Sequence, residues 1–357
     1  MSTSSTVSGS WRLDGAALML TIEQDRPPVT FAANGEYLVS SGTQGVRVWR
    51  VEDGKLLATM KAEHVQCVAF SKDGRWVAAG TFRGDMMVWD AKNYKQTSMT
   101  WNVGDVIKGV EFSPDSTRLL ALGDKTATVW NIATRGVVRH LRHDKSLLAA
   151  KYSPLGDRIA TATEESVQVY DSNKGHLLVD IQVQVTTSYN TGLVWFNNHI
   201  FVVSDNEIKR IDASTRSAIT VWESESHTAS NPSCIAIPRR GGFIAFSANR
   251  TVTFWDTSTH APCGHVDHPR EDIYSIALSP DGRFLAIGGE DEKITIKRVS
   301  CITVSNVSPR ELNNFLAPIP LATWSPLHSL PRYLTFRSTT LRSMCGITIS
   351  SRMRKHS

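Results

Sequence analysis

The chain reads as an all-β array of seven repeated units. Three observations predict it: a strand phrase that returns at steps of 40 to 44 residues, a strand–turn–strand phrase in the same register, and period-two alternation of apolar residues inside the first phrase. A fixed period near forty residues marks a stacked or ring-closed array rather than a domain with one unique core.

The phrase that ends each unit is VRVWR at 46–50, MMVWD at 86–90, ATVWN at 127–131, VQVYD at 167–171, IKRID at 208–212, VTFWD at 252–256 and ITIKR at 294–298. Its anchors are Trp49, Trp89, Trp130, Tyr170, Ile211, Trp255 and Lys297. Apolar residues stand three and one positions before most anchors, as in Val46 and Val48 or Ile294 and Ile296, with a polar residue between them. That alternation belongs to a half-buried strand. Arg210 interrupts it in the fifth unit, which predicts the least regular sheet there.

Earlier in each unit comes an apolar strand end followed by a turn cluster: TFAANG, AFSKDG, EFSPDS, KYSPLG, VWFNNH, AIPRRGG and ALSPDG. Pro, Asp-Gly and Asn-Gly supply the turn chemistry, and a second apolar run follows each turn. Each unit therefore contains a hairpin leading into the anchor strand. About eleven residues after the anchor an apolar residue ends a fourth strand: Met60, Trp101, Leu141, Ile181 and Trp222 in units one to five.

Together these units resemble WD40 repeats, whose blades are four-stranded sheets around a central channel. The literal Trp-Asp pair stands at Trp89-Asp90 and Trp255-Asp256, with Trp130-Asn131, Tyr170-Asp171 and Ile211-Asp212 as drifted copies. The resemblance covers roughly residues 15 to 304 and implies a seven-bladed β-propeller. After Lys297 the fourth-strand position holds Ser308 and then Pro309, a poor strand end. The segment ALMLTI at 17–22 fits instead, with Leu20 eleven residues before Phe31. The ring is thus expected to close through an N-terminal strand, leaving 1–14 as a flexible lead.

The resemblance also implies a hydrogen-bonded set of His, hydroxyl, Asp and Trp within each blade. On that basis His143, His227 and His268 pair with acids or amides six residues before the anchors, namely Glu164, Asn249 and Asp291. Asp124 and Asp205 hold the same position in units that lack the histidine, and Trp49, Trp89, Trp130 and Trp255 complete the structural set. His64 stands six residues before Phe70. A catalytic reading of His143 or His268 competes with this structural one and would need the histidine to line an open channel mouth.

Function is then expected from exposed loops on a rigid body. The resemblance places the turns between second and third strands on the usual partner-binding face. The candidates there are Phe82, Arg83, Asp124, Lys125, Glu164, Glu165, Asn249, Arg250, Glu290 and Glu292. An aromatic beside Arg is the composition of an interface hot spot, against the plainer reading of ordinary turn residues. Arg239-Arg240-Gly241-Gly242 resembles the double-arginine signature of phosphoinositide-binding propellers but fills a first hairpin turn, where the family's FRRG motif does not lie.

The expected function is a non-enzymatic scaffold or adaptor for proteins or peptides. A phosphoinositide-binding membrane adaptor and a propeller hydrolase are the alternatives. No phosphate-loop, metalloprotease or paired-cysteine metal motif occurs, so neither cofactor nor metal is expected. Five scattered cysteines fit buried thiols and a reducing compartment, cytoplasmic by default with a nuclear location left open. The N-terminal residues lack the basic start and apolar core of a secretory signal, and no run of eighteen apolar residues is present.

From residue 305 the composition changes. The segment 305–357 carries seven basic residues against the single acid Glu311, so the net charge of +5 resides there. Rich in Ser, Thr and Pro and without the repeat, it is expected to be disordered. The body carries no basic excess, which argues against nucleic-acid binding.

Overall fold

A computed structural model gives the structure of the chain. It describes residues 11–23, 25–42, 45–186, 192–223, 232–248, 250–268, 272–290 and 293–303. The expected disorder of 305–357, and the candidates His227, Asn249, Asp291 and Glu292, lie outside the described residues.

Seven four-stranded antiparallel sheets follow one another along the chain. Blade 1 is built from Asp25–Phe31, Tyr37–Gly42, Gly45–Arg50 and Leu56–Met60, and the next five repeat that plan. The seventh has three strands of its own, Ile273–Leu278, Phe284–Gly289 and Lys293–Thr303, and takes its fourth from Trp11–Glu23. The expected closure through an N-terminal strand is therefore observed. The closing strand begins inside the segment 1–14, because Trp11, Arg12 and Leu13 pair with Thr303, Ile302 and Cys301.

One register differs from expectation. The outer-strand residue that faces the first apolar position of the anchor strand is Met60, Trp101, Leu141, Ile181, Trp222 and Val266 in blades 1 to 6. In blade 7 it is Ile22, paired with Ile294, and Leu20 pairs with Ile296. Counting eleven residues back from Phe31 fails because the connection into blade 1 is two residues shorter than those before Phe112 and Tyr152.

Packing between neighbouring blades supplies the core. Val46, Val48 and Met60 of blade 1 meet Val68, Val77, Ala79 and Trp89 of blade 2. Across the closure, Ile22, Ile294 and Ile296 pack with Val29, Phe31 and Leu38. Each such aliphatic side chain contributes about 1.5–3 kcal/mol when fully buried. The outer tryptophans serve the same purpose between blades rather than within one. Trp101 of blade 2 stacks on Trp130 of blade 3 at 5.5 Å, and Trp222 of blade 5 lies 4.6 Å from Phe246 of blade 6.

Two kinds of turn hold the strands at one end of the ring. In blades 2, 3, 4 and 7 the hydroxyls of Ser71, Ser113, Ser153 and Ser279 donate to Asp73, Asp115, Asp157 and Asp281, and accept the N–H of the residue that opens the second strand. After the third strand, Asp90, Asp171, Asp212 and Asp256 each accept backbone N–H groups two and three residues on. The acid of the Trp-Asp pair is thus a turn cap.

Every outer strand is bulged against its neighbour. In six blades the bulge falls at the anchor, as between Val48 and Trp49 or between Phe254 and Trp255. In blade 5 it moves to Ile208/Lys209, leaving Val221 as the extra residue. Bulges at exposed edges break the ladder that a stray strand would extend.

Candidate functional site

The turns between second and third strands lie at the end of the ring opposite the Ser–Asp turns, and those of blades 2, 3, 4 and 6 are tied to the loop that leaves the outer strand. The carbonyls of Gly84, Lys125, Glu165 and Arg250 accept the N–H groups of Val103, His143, Val183 and His268. These recurring bonds make the face a set of pinned loops.

The blade 2 turn is the most apolar of them. Phe82 is 60% exposed, and its N–H donates to the His64 carbonyl at 2.9 Å. Thr81 accepts the N–H of Ile107 at its carbonyl and that of Asp85 at its hydroxyl. Gly84 at φ +83° turns the chain where the Asp105 backbone leaves no room for a Cβ. Arg83 reaches Glu63 at 3.6 Å and His64 at 3.5 Å. His64 is thereby part of this exposed turn.

The other candidates divide between exposed and engaged groups. Asp124 receives Lys108 Nζ at 2.6 Å and Ser146 Oγ at 2.7 Å, and these bonds hold its carboxyl below the usual range. Glu165 is paired with Lys145, while Lys125, Glu164, Arg250 and Glu290 are exposed. Lys108 and Ser146 carried no sequence signal. Their partner is set by the meeting of two inter-blade loops, far apart in the chain.

The histidine network takes a different form from the one the resemblance implies. His143 meets the Tyr170 ring edge-on at 5.5 Å, while Glu164 is exposed. Burial lowers the pKa of His143, and its buried Nε2 has no hydrogen-bond partner among the described residues. His268 is buried and its N–H donates to Arg250. Asp205 sits exposed in a left-handed turn at φ +45°, its N–H on the Thr186 hydroxyl.

The tryptophans differ in what their indoles meet. Trp49 Nε1 donates to Ser40 Oγ at 2.9 Å. Ser40 stands two residues after Leu38, which pairs with Trp49; the matching positions opposite Trp130 and Trp255 hold Ala121 and Phe246. Neither of those indole N–H groups finds a partner among the described residues. Trp89 is buried and pairs with Val77, and the position matching Ser40 there is Ala79, which also lacks a hydroxyl.

The seven inner strands line a central channel of about 330 Å³. Lys72, Lys108, Glu111 and Lys151 line it among apolar residues such as Val68 and Ile276, and Glu111 accepts the N–H of Tyr152 at 2.9 Å. Arg239 and Arg240 are exposed in the first turn of blade 6, where the Arg239 N–H donates to Pro280 and Gly241 packs against the Phe196 ring. Among the described residues no cluster of His, Cys, Asp and Glu could hold a metal, and no helix is long and apolar enough to cross a membrane.

Seven four-stranded blades around a channel, loops pinned at one end and acid-capped turns at the other, define a seven-bladed β-propeller. Its repeats are WD40 repeats, and the chain is a WD40-repeat propeller: the family model described as WD domain, G-beta repeat, matches residues 54–90, 96–131 and 260–296. Each match starts on or just before one blade's outer strand and ends in the third strand of the next.

Curated relatives include the intraflagellar transport protein 122 homolog of Danio rerio, 21% identical over 79% of this chain and 24% of that protein. The chain thus spans about a quarter of that relative. Eukaryotic translation initiation factor 3 subunit I of Schizosaccharomyces pombe is 24% identical over 77% of this chain and 93% of its own length. Among solved structures, the β-propeller domain of Myceliophteria thermophila Cps50 (Swd1) shares the fold with a TM-score of 0.70 at 17% identity, over 80% of this chain and all of that one.

Proposed function

We propose that this propeller is a non-enzymatic scaffold that assembles protein partners on the face carrying its second-to-third-strand turns, with Phe82 as the anchor. The observation that carries this reading is the exposed Phe82 ring on a turn fixed from both sides. Such an anchor is already ordered, so binding costs little conformational entropy, and an aromatic beside Arg has hot-spot chemistry. Lys125, Glu164, Arg250 and Glu290 form the polar surround, to which Asn249 and Glu292 belong by sequence position. The names of the relatives support the reading, since a subunit of an initiation factor is by definition part of an assembly.

Affinity purification with mass spectrometry tests it, using the wild type beside a Phe82→Ala, Arg83→Ala double variant. Both residues are exposed, so thermal stability should stay unchanged while a subset of partners is lost. An identical partner set from both proteins would sink the choice of face.

A further inference from the structure

We propose that the central channel, at its Ser–Asp turn end, binds a small organic anion, a carboxylate on a short apolar chain, with Lys151 as the group that receives its charge. The channel holds about 330 Å³, the lower end of the range of ordinary ligand sites, so it admits a small molecule and no folded element. Lys151 stands two residues before Ser153, and Lys72 directly follows Ser71, two of the serines that mark this end of the ring. The Phe82 turn lies at the opposite end, so this site is separate from the proposed partner face.

Each blade places the residue before its first strand-end anchor at one level of the bore. Thr30, Ala69, Val194, Ala236 and Ala277 hold that place in five blades and are small or apolar, whereas blades 3 and 4 put Glu111 and Lys151 there. Glu111 turns to the next blade and accepts the Tyr152 N–H at 2.9 Å. One blade further on, the group that matches Tyr152 N–H is the Trp195 N–H, and the Lys151 ammonium cannot accept it. Lys151 accordingly makes no hydrogen bond or ion pair among the described residues, although it is half-buried. The Cys67 thiol of blade 2, raised by burial, feels the opposing charge of Lys151 from blade 4, as it does when the ammonium is turned to the bore.

The charge balance selects an anion. Lys108 is answered by Asp124 and Ser146 at the far end of the channel. That leaves Lys151 and Lys72 against Glu111 alone, and Lys72 is exposed with no partner among the described residues. An anion entering past Lys72 gains at Lys151 the charge-assisted hydrogen bonds that the fold does not supply. The walls select an apolar body, because Val194, Ala236 and Ala277 line the same level. A bare inorganic ion leaves those walls against water, whereas a short alkyl chain covers them.

Hexanoate, hexylammonium and inorganic phosphate test this, each titrated into the full chain while the methyl resonances of Val194 and Ile276, both in the channel wall, are followed. Hexanoate should shift both resonances to saturation and bind at least about tenfold tighter than either of the others. Lys151→Met keeps the aliphatic stem and removes the charge, so it should weaken hexanoate at least about fivefold. It leaves no partner stranded, so thermal unfolding should stay unaltered. Lys72→Met, at the mouth, should weaken hexanoate less.

Absence of shifts with hexanoate overturns the proposal, as does equal binding of hexylammonium or undiminished binding of hexanoate by Lys151→Met. Phosphate binding as tightly as hexanoate would show that the walls select nothing, and the apolar body falls. Lys151→Gln serves as a second uncharged variant if Lys151→Met folds poorly, and it should lose the same preference. The Phe82→Ala, Arg83→Ala variant should bind hexanoate as the wild type does; if it loses the ligand, the anion sits at the other end of the ring and the assignment to Lys151 falls.

Discussion

At the scale of single residues, buried polar atoms show where the repeat has drifted. Trp49 keeps its acceptor in Ser40, whereas the position that matches Ser40 is Ala121 beside the partner of Trp130 and Phe246 beside the partner of Trp255. Ser40→Ala should cost about 1 kcal/mol in urea unfolding, because it removes the hydroxyl that accepts the part-buried Trp49 indole N–H. Ala121→Ser should be neutral or stabilising by up to about 1 kcal/mol, since it offers Trp130 the missing acceptor. A loss comparable to that of Ser40→Ala would show that the hydroxyl cannot reach. Cys67 gives a second check. Burial pushes its thiol up to about 12, so iodoacetamide at pH 8 should leave it intact in the native protein and alkylate it in urea.

At the scale of strands and turns, the acids of one end act as caps. Asp53 is held down to about 2 by Arg50 and the Lys55 N–H, and hydrogen bonds from their own turns place the carboxyls of Asp171 and Asp212 below the usual range. A depressed carboxyl stabilises the fold above its unfolded pKa and loses that contribution as pH falls through the folded value. Thermal unfolding should therefore be steady from pH 7 to 5 on account of these groups and decline from about pH 4 towards 2. A melting temperature unchanged at pH 2.5 would rule the caps out as contributors.

Much at this scale was legible in the sequence because period fixes pattern. The anchors from Trp49 to Lys297 gave the number of blades, and Arg210 marked the blade whose bulge is displaced. The register of Ile22 was not legible, since the length of an inter-blade connection is set by how two sheets meet. Nor was the state of each tryptophan. Whether Trp130 has an acceptor depends on residue 121 in the adjoining strand, and becomes readable only when the pairing is known. His143 turned to Tyr170 rather than Glu164 for a similar reason: the choice lies in how side chains fill a blade.

At the scale of the whole molecule, closure governs stability. Deleting residues 1–24 removes the fourth strand of blade 7 and the Ile22 contact to Ile294, exposing an unpaired edge. The truncated protein should aggregate or lose cooperative unfolding in calorimetry. Truncation after residue 304 removes none of the described strands, and its melting temperature should stay within a few degrees of the full chain. The reverse result would mean that the ring is not held by its first strand.

That closing strand also sets a clock on biosynthesis. It leaves the ribosome before any blade, yet its partner, Lys293–Thr303, is made last. At roughly 5–20 residues per second, the Trp11–Glu23 segment waits on the order of tens of seconds with its pairing groups unmet. During that interval the nascent chain is a row of blades with an open end, the state in which chaperones or neighbouring chains have access to it. A slow codon or a stalled ribosome near the end of the propeller would prolong it, so the yield of native protein should depend on translation speed there.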